Sequence, residues 1–228
     1  MNEKTNHINN ILTFISVVLA LLAIIISYNQ QDTINKIQQK QFNLLQKEEL
    51  SININPKING KIHLTNYSLG NLGHVLHVPW KMIISNTGNK RLSIIDYSIS
   101  RGESPNSIYY SGINGGIVSQ KYEEILFPIT LNPGDSQIFY IFVGITIPKK
   151  AYETLVSLDK NIPLTDEFAS RMLAKKGIDY YGNHVKYQEY SKGSFLFSIS
   201  NFEKAQRFWI KFTTGSGHIY KENAIQYQ

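Results

Sequence analysis

The chain contains no cysteine, and this absence removes several kinds of site at once. Without thiols there is no disulfide, no thiolate zinc site, no iron–sulfur cluster and no cysteine nucleophile. A dense basic stripe, the usual mark of a nucleic-acid binder, is also missing. The net charge is +6, but the Lys and Arg residues are spread along the chain, so we expect no nucleic-acid partner and assign this charge to solubility.

Motifs for nucleotide, metal or cofactor chemistry are equally scarce. The sequence has no G-x-S-x-G elbow and no Walker loop. His74 and His77 form an H-x-x-H pair, with His63 as a third candidate ligand, but three residues along a strand would put the two rings on opposite faces. Because a metal site needs three or four convergent ligands, we predict neither a metal nor a cofactor.

The chain does contain one long apolar segment, Ile11–Tyr28, with no charge, proline or glycine. As a helix rising ~1.5 Å per residue it covers ~27 Å, close to the thickness of the hydrocarbon layer. A helix that is apolar on every side needs lipid or a large core around it. The segment therefore predicts a transmembrane helix in contact with the bilayer, preceded by a tail over residues 1–10.

Two other interpretations of this segment stay open. A cleaved signal peptide needs a more basic start, a shorter apolar stretch and a small-x-small cleavage site. Here Ala20 and Ala23 are followed by three isoleucines, which favours a retained anchor. A buried core helix is the other alternative. Lysines after the segment outnumber those before it, which favours a single-pass protein of the cell membrane with its domain on the cytoplasmic side, the reverse orientation remaining open.

Residues 29–50 predict a helical stalk, since they are rich in Gln, Lys and Glu and contain no Pro or Gly. Four apolar residues lie roughly on one face of that helix: Ile34, Ile37, Leu44 and Leu45. The spacing 34, 37, 41, 44, 48 has heptad character, although Gln41 and Glu48 interrupt it. The stalk is therefore either a simple continuation of the anchor or a parallel coiled coil that forms a homo-oligomer.

From residue 51 the pattern changes to short alternating strands separated by turns, which predicts an antiparallel β-sandwich over 51–228 and a mainly β fold. The predicted strands are 51–56, 61–66, 78–85, 91–100, 123–129, 137–147, 179–181, 185–190, 194–200, 205–213 and 218–221. A helical insert at about 150–177 interrupts them. Its main helix, 165–176, begins at Thr165 as N-cap and ends before Gly177, and 151–158 is a shorter candidate.

Two turns carry a resemblance to a known family. A strand ends in Asn86-Thr87-Gly88, and Leu131-Asn132-Pro133-Gly134-Asp135 precedes a long strand. In this respect the region 77–147 resembles bacterial membrane-tethered immunoglobulin-like sandwich modules. The resemblance implies a sandwich fold, and because tethered modules of that kind often bind other proteins or glycans, it implies a binding role by analogy.

Tyrosine is the residue that best indicates a binding surface. Tyr180, Tyr181, Tyr187 and Tyr190 flank one predicted hairpin. Tyrosine provides amphipathic contact area and is enriched at interfaces, although it is also common in strands and cores. We therefore predict that this hairpin is the binding edge of a membrane-anchored interaction module for a protein partner.

Two alternatives from other functional classes accompany this prediction. One is a membrane-tethered hydrolase with a site assembled from dispersed residues such as His74, His77 and Glu123, which would require a deep cleft. The other is a self-associating effector or assembly subunit whose anchors cluster through the stalk.

Overall fold

The computed structural model describes residues 2–57, 59–159, 161–190, 194–199 and 206–225. The chain divides into two compact units, Met1–Lys47 and Glu48–Gln228. The fold is mainly β, with 43% strand against 27% helix, and every strand pairing is antiparallel. The predicted fold class is therefore confirmed.

The first unit is a single helix, α1 (Asn2–Leu45), which covers both the predicted anchor and most of the predicted stalk. No proline or glycine interrupts it, so the backbone ladder continues across both segments. By length and composition, its part Thr13–Leu45 is the one described helix suited to crossing a membrane, and none of its apolar window is buried. The helix ends five residues earlier than the predicted stalk.

The larger sheet of the second unit has five strands. They are β1 (Leu50–Pro56), β2 (His63–Ser68), β3 (His74–Asn86), β5 (Asn114–Val118) and β7 (Ser136–Ile147). The order is β1-β3-β7-β5, and β2 pairs with the first part of β3. The long β3–β7 pair, running from His74 opposite Ile147 to Ser85 opposite Ser136, forms the centre of the sheet.

The second sheet contains four strands: β4 (Leu92–Arg101), β6 (Ile129–Leu131), β10 (Arg207–Thr214) and β11 (Ile219–Ile225). Their order is β11-β10-β4-β6. Along β10 each second residue is buried, so one face of this sheet packs on the core and the other meets solvent. The two sheets share one continuous hydrophobic core, as a β-sandwich requires.

Trp80 on β3 and Phe208 on β10 meet at the centre of this core. Both side chains are fully buried, and their ring centroids lie 5.9 Å apart with the rings perpendicular. Edge-to-face contacts of this kind add to the free energy gained from burial. The contact therefore joins the central strand of one sheet to the other sheet.

Asn86 connects its own turn, 86–88, to the turn at 131–135. Its buried side chain donates to the carbonyls of Lys90 (2.8 Å) and Leu131 (3.0 Å) and accepts from the Gly88 amide (3.0 Å). Its backbone carbonyl accepts from Gly134, which has a φ of +83° and occupies the position where a type II turn favours glycine. One asparagine thus holds both turns at the same end of the sandwich.

The helical insert contains α2 (Lys149–Val156) and α3 (Asp166–Lys175). The Thr165 side chain accepts from the Phe168 amide at 3.2 Å, which confirms the predicted N-cap. After the insert, β8 (Val185–Glu189) and β9 (Phe195–Ile199) pair only with each other among the described residues, and they form a hairpin outside both large sheets.

Three local expectations were wrong. Of the predicted strand 123–129 only Ile129 is in a strand, and residues 179–181 lie in a turn instead. The third concerns β5 (Asn114–Val118), which forms where we predicted no strand. Glycine is required there because a Cβ on Gly115 would lie 2.8 Å from Phe142 and 2.9 Å from the His77 ring. Such a strand has few side chains that could reveal it in the sequence.

The two tryptophans provide a test of the core. Trp80→Ala should lower the free energy of unfolding by about 3–5 kcal/mol, because a fully buried indole leaves a cavity. Trp209→Ala should cost less, since that residue is half-buried on the outer face and gives up one hydrogen bond to Gly102. Urea unfolding of the full chain in detergent micelles measures both, and equal losses would contradict the assigned core.

Candidate functional site

The four predicted binding tyrosines lie in two different environments. Tyr180 is fully buried, and its hydroxyl lies 2.8 Å from an Oδ atom of Asp166. Burial raises the pKa of Asp166 to about 6, against the opposing effect of the Tyr180 hydrogen bond. Tyr180 therefore holds the first turn of α3 in the core and has no surface to offer a partner.

Tyr181 is also buried, with 6% of its surface exposed, and it contributes to the wall of an open cleft of about 480 Å³. The other residues around this cleft are Gly70, Asn71, Leu72, Gly73, Thr146, Pro148, Lys149 and Gln206. None of these described lining residues is a carboxylate or a histidine. The cleft therefore lacks histidine and carboxylate side chains, which most often act in general acid–base catalysis, while Lys149 and Tyr181 lie in its wall.

Within the cleft, Gln206 pairs with the backbone of β7. Its amide nitrogen donates to the Thr146 carbonyl at 2.8 Å, and its amide oxygen accepts from the Thr146 N–H at 3.2 Å. This is the hydrogen-bond pattern that a neighbouring strand would supply. Arg101 donates to the Thr146 hydroxyl at 2.8 Å, so the polar groups of this wall are largely satisfied by hydrogen bonds within the domain.

Tyr187 lies on the face of the β8–β9 hairpin that meets α3. Its ring stacks on Phe195 at 5.9 Å, and the Arg171 guanidinium lies 4.4 Å from the Phe195 ring centroid. Lys175 bridges the same elements, with its Nζ atom 3.2 Å from Glu189. Cationic side chains of α3 therefore support the aromatic side chains of the hairpin, and Tyr187 acts mainly in this support.

The opposite face of the hairpin is open to solvent. Tyr190 is 61% exposed and Leu196 is 55% exposed. Lys186, Gln188 and Ser198 are exposed on the same side, as the alternation of side chains along β8 and β9 dictates. Within the described residues, no strand pairs with the outer edge of β9. This surface, which we call the hairpin face, has one cation and no carboxylate among its described residues.

The residues of the alternative hydrolase site are not brought together. His74 stacks on Tyr152 at 4.0 Å, whereas His77 lies on the other face of β3 and contacts the Gly112 carbonyl at 2.8 Å. Glu123 is exposed in the loop after β5. Burial lowers the pKa of His77, which favours a neutral ring. Among the described residues no group of three or more His, Asp or Glu side chains could hold a metal ion.

The structure also forms a Ser–His–carboxylate cluster that sequence reasoning missed. The Glu48 carboxylate accepts from the Ser216 hydroxyl, and His218 Nδ1 lies 3.3 Å from the same Oε2 atom. The Glu48 side chain is only 5% exposed. A separation of 168 residues between Glu48 and Ser216 explains why no local motif revealed it.

The geometry of this cluster is structural and does not match that of a nucleophile. In a catalytic triad the serine contacts one imidazole nitrogen and the carboxylate contacts the other. Here Ser216 and Glu48 both lie 3.3 Å from the same Nδ1 atom of His218. The Tyr220 hydroxyl also donates to the Glu48 carbonyl at 2.9 Å. The cluster therefore fastens the first residue of the β unit to the β10–β11 turn.

Acid should release this fastening. Burial acts to raise the pKa of Glu48, but the hydrogen bonds from the β10–β11 turn outweigh it and hold the pKa below 4.5. A lowered folded-state pKa stabilises the fold above pH 4.5, and that stabilisation is lost as pH falls further. Glu48→Gln should cost about 1–3 kcal/mol at pH 7 and progressively less below pH 4.5.

Urea unfolding of the full chain across pH measures this difference. Glu124→Gln is the matched control, because that carboxylate is exposed and should change stability little at any pH. A Glu48→Gln loss that stays constant down to pH 3 would show that the carboxylate charge has no part in the fastening.

Comparison with known proteins adds no assignment to this geometry. No protein-family model and no curated protein matches the sequence. A function must therefore be inferred from the apolar helix, the sandwich and the hairpin face themselves.

Proposed function

We propose that this chain is a single-pass, membrane-anchored β-sandwich protein whose β8–β9 hairpin binds a protein partner. The observation that carries the proposal is the placement of the hairpin outside both large sheets, with an exposed face and an edge of β9 to which no described strand pairs. The immunoglobulin-like resemblance of the region 77–147 supports the same binding role by analogy.

The anchor part of the proposal rests on α1. From Thr13 onward its apolar side chains are not buried by the protein, with Leu19 61% and Ile24 64% exposed. Large apolar side chains that stay exposed along a whole helix favour lipid as their environment. Lys36, Lys40 and Lys47 follow the apolar segment, so we propose that the β unit lies on the cytoplasmic side.

The binding part of the proposal is β-strand addition. An open strand edge offers unpaired backbone groups to an extended segment, and main-chain hydrogen bonds then provide much of the affinity. Tyr190 and Leu196 on the hairpin face offer apolar contact area beside that edge. Lys186 is the one charged side chain among the described residues of that face, so the partner we propose is an extended protein segment with acidic residues.

The anchor is tested by replacing Leu19 and Leu22 with arginine. Each arginine near the centre of a membrane helix costs about 2.5–3.5 kcal/mol, so the double variant should leave the membrane pellet after alkaline carbonate washing. Arginines at Gln38 and Gln39 are the matched control and should leave the protein in the pellet. A wild-type protein that washes out, or whose mature end begins beyond Tyr28, would contradict the anchor. Protease treatment of intact and lysed cells then reports the side of the β unit.

Binding at the hairpin is tested with a photocrosslinking amino acid at Tyr190. We expect one discrete adduct, which should be lost when Lys186→Glu and Leu196→Asp reverse the charge and polarity of the hairpin face. The same photocrosslinker at Tyr67, an exposed tyrosine at the end of β2, is the matched control. Identical adducts from both positions, or none from Tyr190, would contradict a binding role for the hairpin.

A further inference from the structure

Exposed isoleucines on the stalk part of α1 form a regular stripe. Ile34 is 47% exposed and Ile37 is 52% exposed, in a segment that the proposed anchor places in water. With Gln41 and Leu44 they continue at alternating spacings of three and four residues. A repeat of 3.5 residues is the period of a helix that winds around another helix.

The same spacing continues without interruption into the apolar segment. The positions that complete the stripe are Thr13, Ser16, Ala20, Ala23, Ser27 and Gln30. Every small residue between Ile11 and Tyr28 lies on this stripe, and all other residues of that segment are large. We call the whole set, from Thr13 to Leu44, the α1 seam.

The two halves of the α1 seam match the packing rules of two different solvents. In a bilayer the lipid chains are as apolar as the side chains, so burying a large apolar side chain between helices gains no hydrophobic free energy. Helices therefore associate where small residues allow their backbones to approach. In water, association is driven by burial of large apolar side chains. The α1 seam changes from Ala23 and Ser27 to Ile34 and Ile37 where the helix leaves its apolar segment.

We infer that α1 pairs in parallel and in register with a second copy of this chain along the α1 seam. The inference rests on the proposed membrane anchor. A matching neighbour must change from small to large residues at the same level relative to the membrane. A parallel copy of this helix does so because it has the same sequence at the same level. An antiparallel copy, with its own apolar segment in the same bilayer, would place the mostly polar residues 1–10 opposite Ile34 and Ile37.

The remaining charges of the stalk agree with this arrangement. The ion pair between Asp32 and Lys36, 2.7 Å long, lies away from the α1 seam, on the other side of the helix. In a parallel pair the flanking positions bring Thr33 near Gln38, and Lys40 near Leu45. No like charges face each other there. The glutamines at Gln30 and Gln41 supply polar positions within the stripe, which in coiled coils fix the register.

The absence of cysteine makes a disulfide experiment simple. Single substitutions Ala23→Cys and Ile37→Cys lie on the α1 seam, while Ile25→Cys and Gln39→Cys lie on the opposite side of the same helix. With a mild oxidant in isolated membranes, we expect several-fold more covalent dimer from each seam variant than from its control. Positions 23 and 37 are ~21 Å apart along the helix, so only a parallel pair in register links both.

The outcomes separate this inference from the proposed anchor. Equal crosslinking at seam and control positions, or crosslinking at only one seam position, would overturn the parallel pair while the carbonate-resistant anchor stands. A second variant tests the stalk directly: Ile34→Asn with Ile37→Asn should reduce the Ala23→Cys crosslink several-fold without releasing the protein from the membrane. An unchanged crosslink would also overturn the pairing of the stalk.

Discussion

Burial of apolar surface between two antiparallel sheets is the constraint on which the β unit depends. Trp80 and Phe208 occupy its centre, and the long β3–β7 pair supplies the alternating residues of one inner face. Aromatic side chains bury about 150–250 Å² each, so this contact is one of the larger single contributions to the packing of the two sheets. The insert, the cleft and the hairpin are attached to this sandwich, and their positions follow from its register.

Much of the fold could be predicted because local pattern and tertiary structure agree in most places. Thr165 caps α3 as its side chain dictates, and Gly134 occupies the turn position that its sequence indicates. Prediction was wrong where packing overrides pattern. Gly115 gave no sign of a strand, because its role is to let backbone approach a neighbouring ring. Tyr180 was predicted on a surface, but its ring and hydroxyl serve the core, a distinction that residue type alone does not make.

The candidate site was less predictable than the fold, since it depends on contacts between distant parts of the chain. Glu48 and Ser216 are in contact although 168 residues of sequence separate them. Exposure of Tyr190 also depends on which hairpin face α3 covers, which spacing alone does not reveal.

If copies of α1 pair as we propose, two hairpin faces belong to one assembly. A partner with two extended segments would then bind with an effective concentration that a single copy does not provide.

Gln206 has a consequence for the behaviour of this protein at high density. Its amide hydrogen-bonds to the Thr146 peptide on β7 in the way that an added strand would. A strand edge with unpaired backbone N–H and C=O groups can pair with the same edge of another copy, and such pairing promotes fibril growth. Confinement to a surface raises the collision frequency of identical chains, so such recruitment would be most harmful there. A single glutamine thus closes one route from crowding to misassembly.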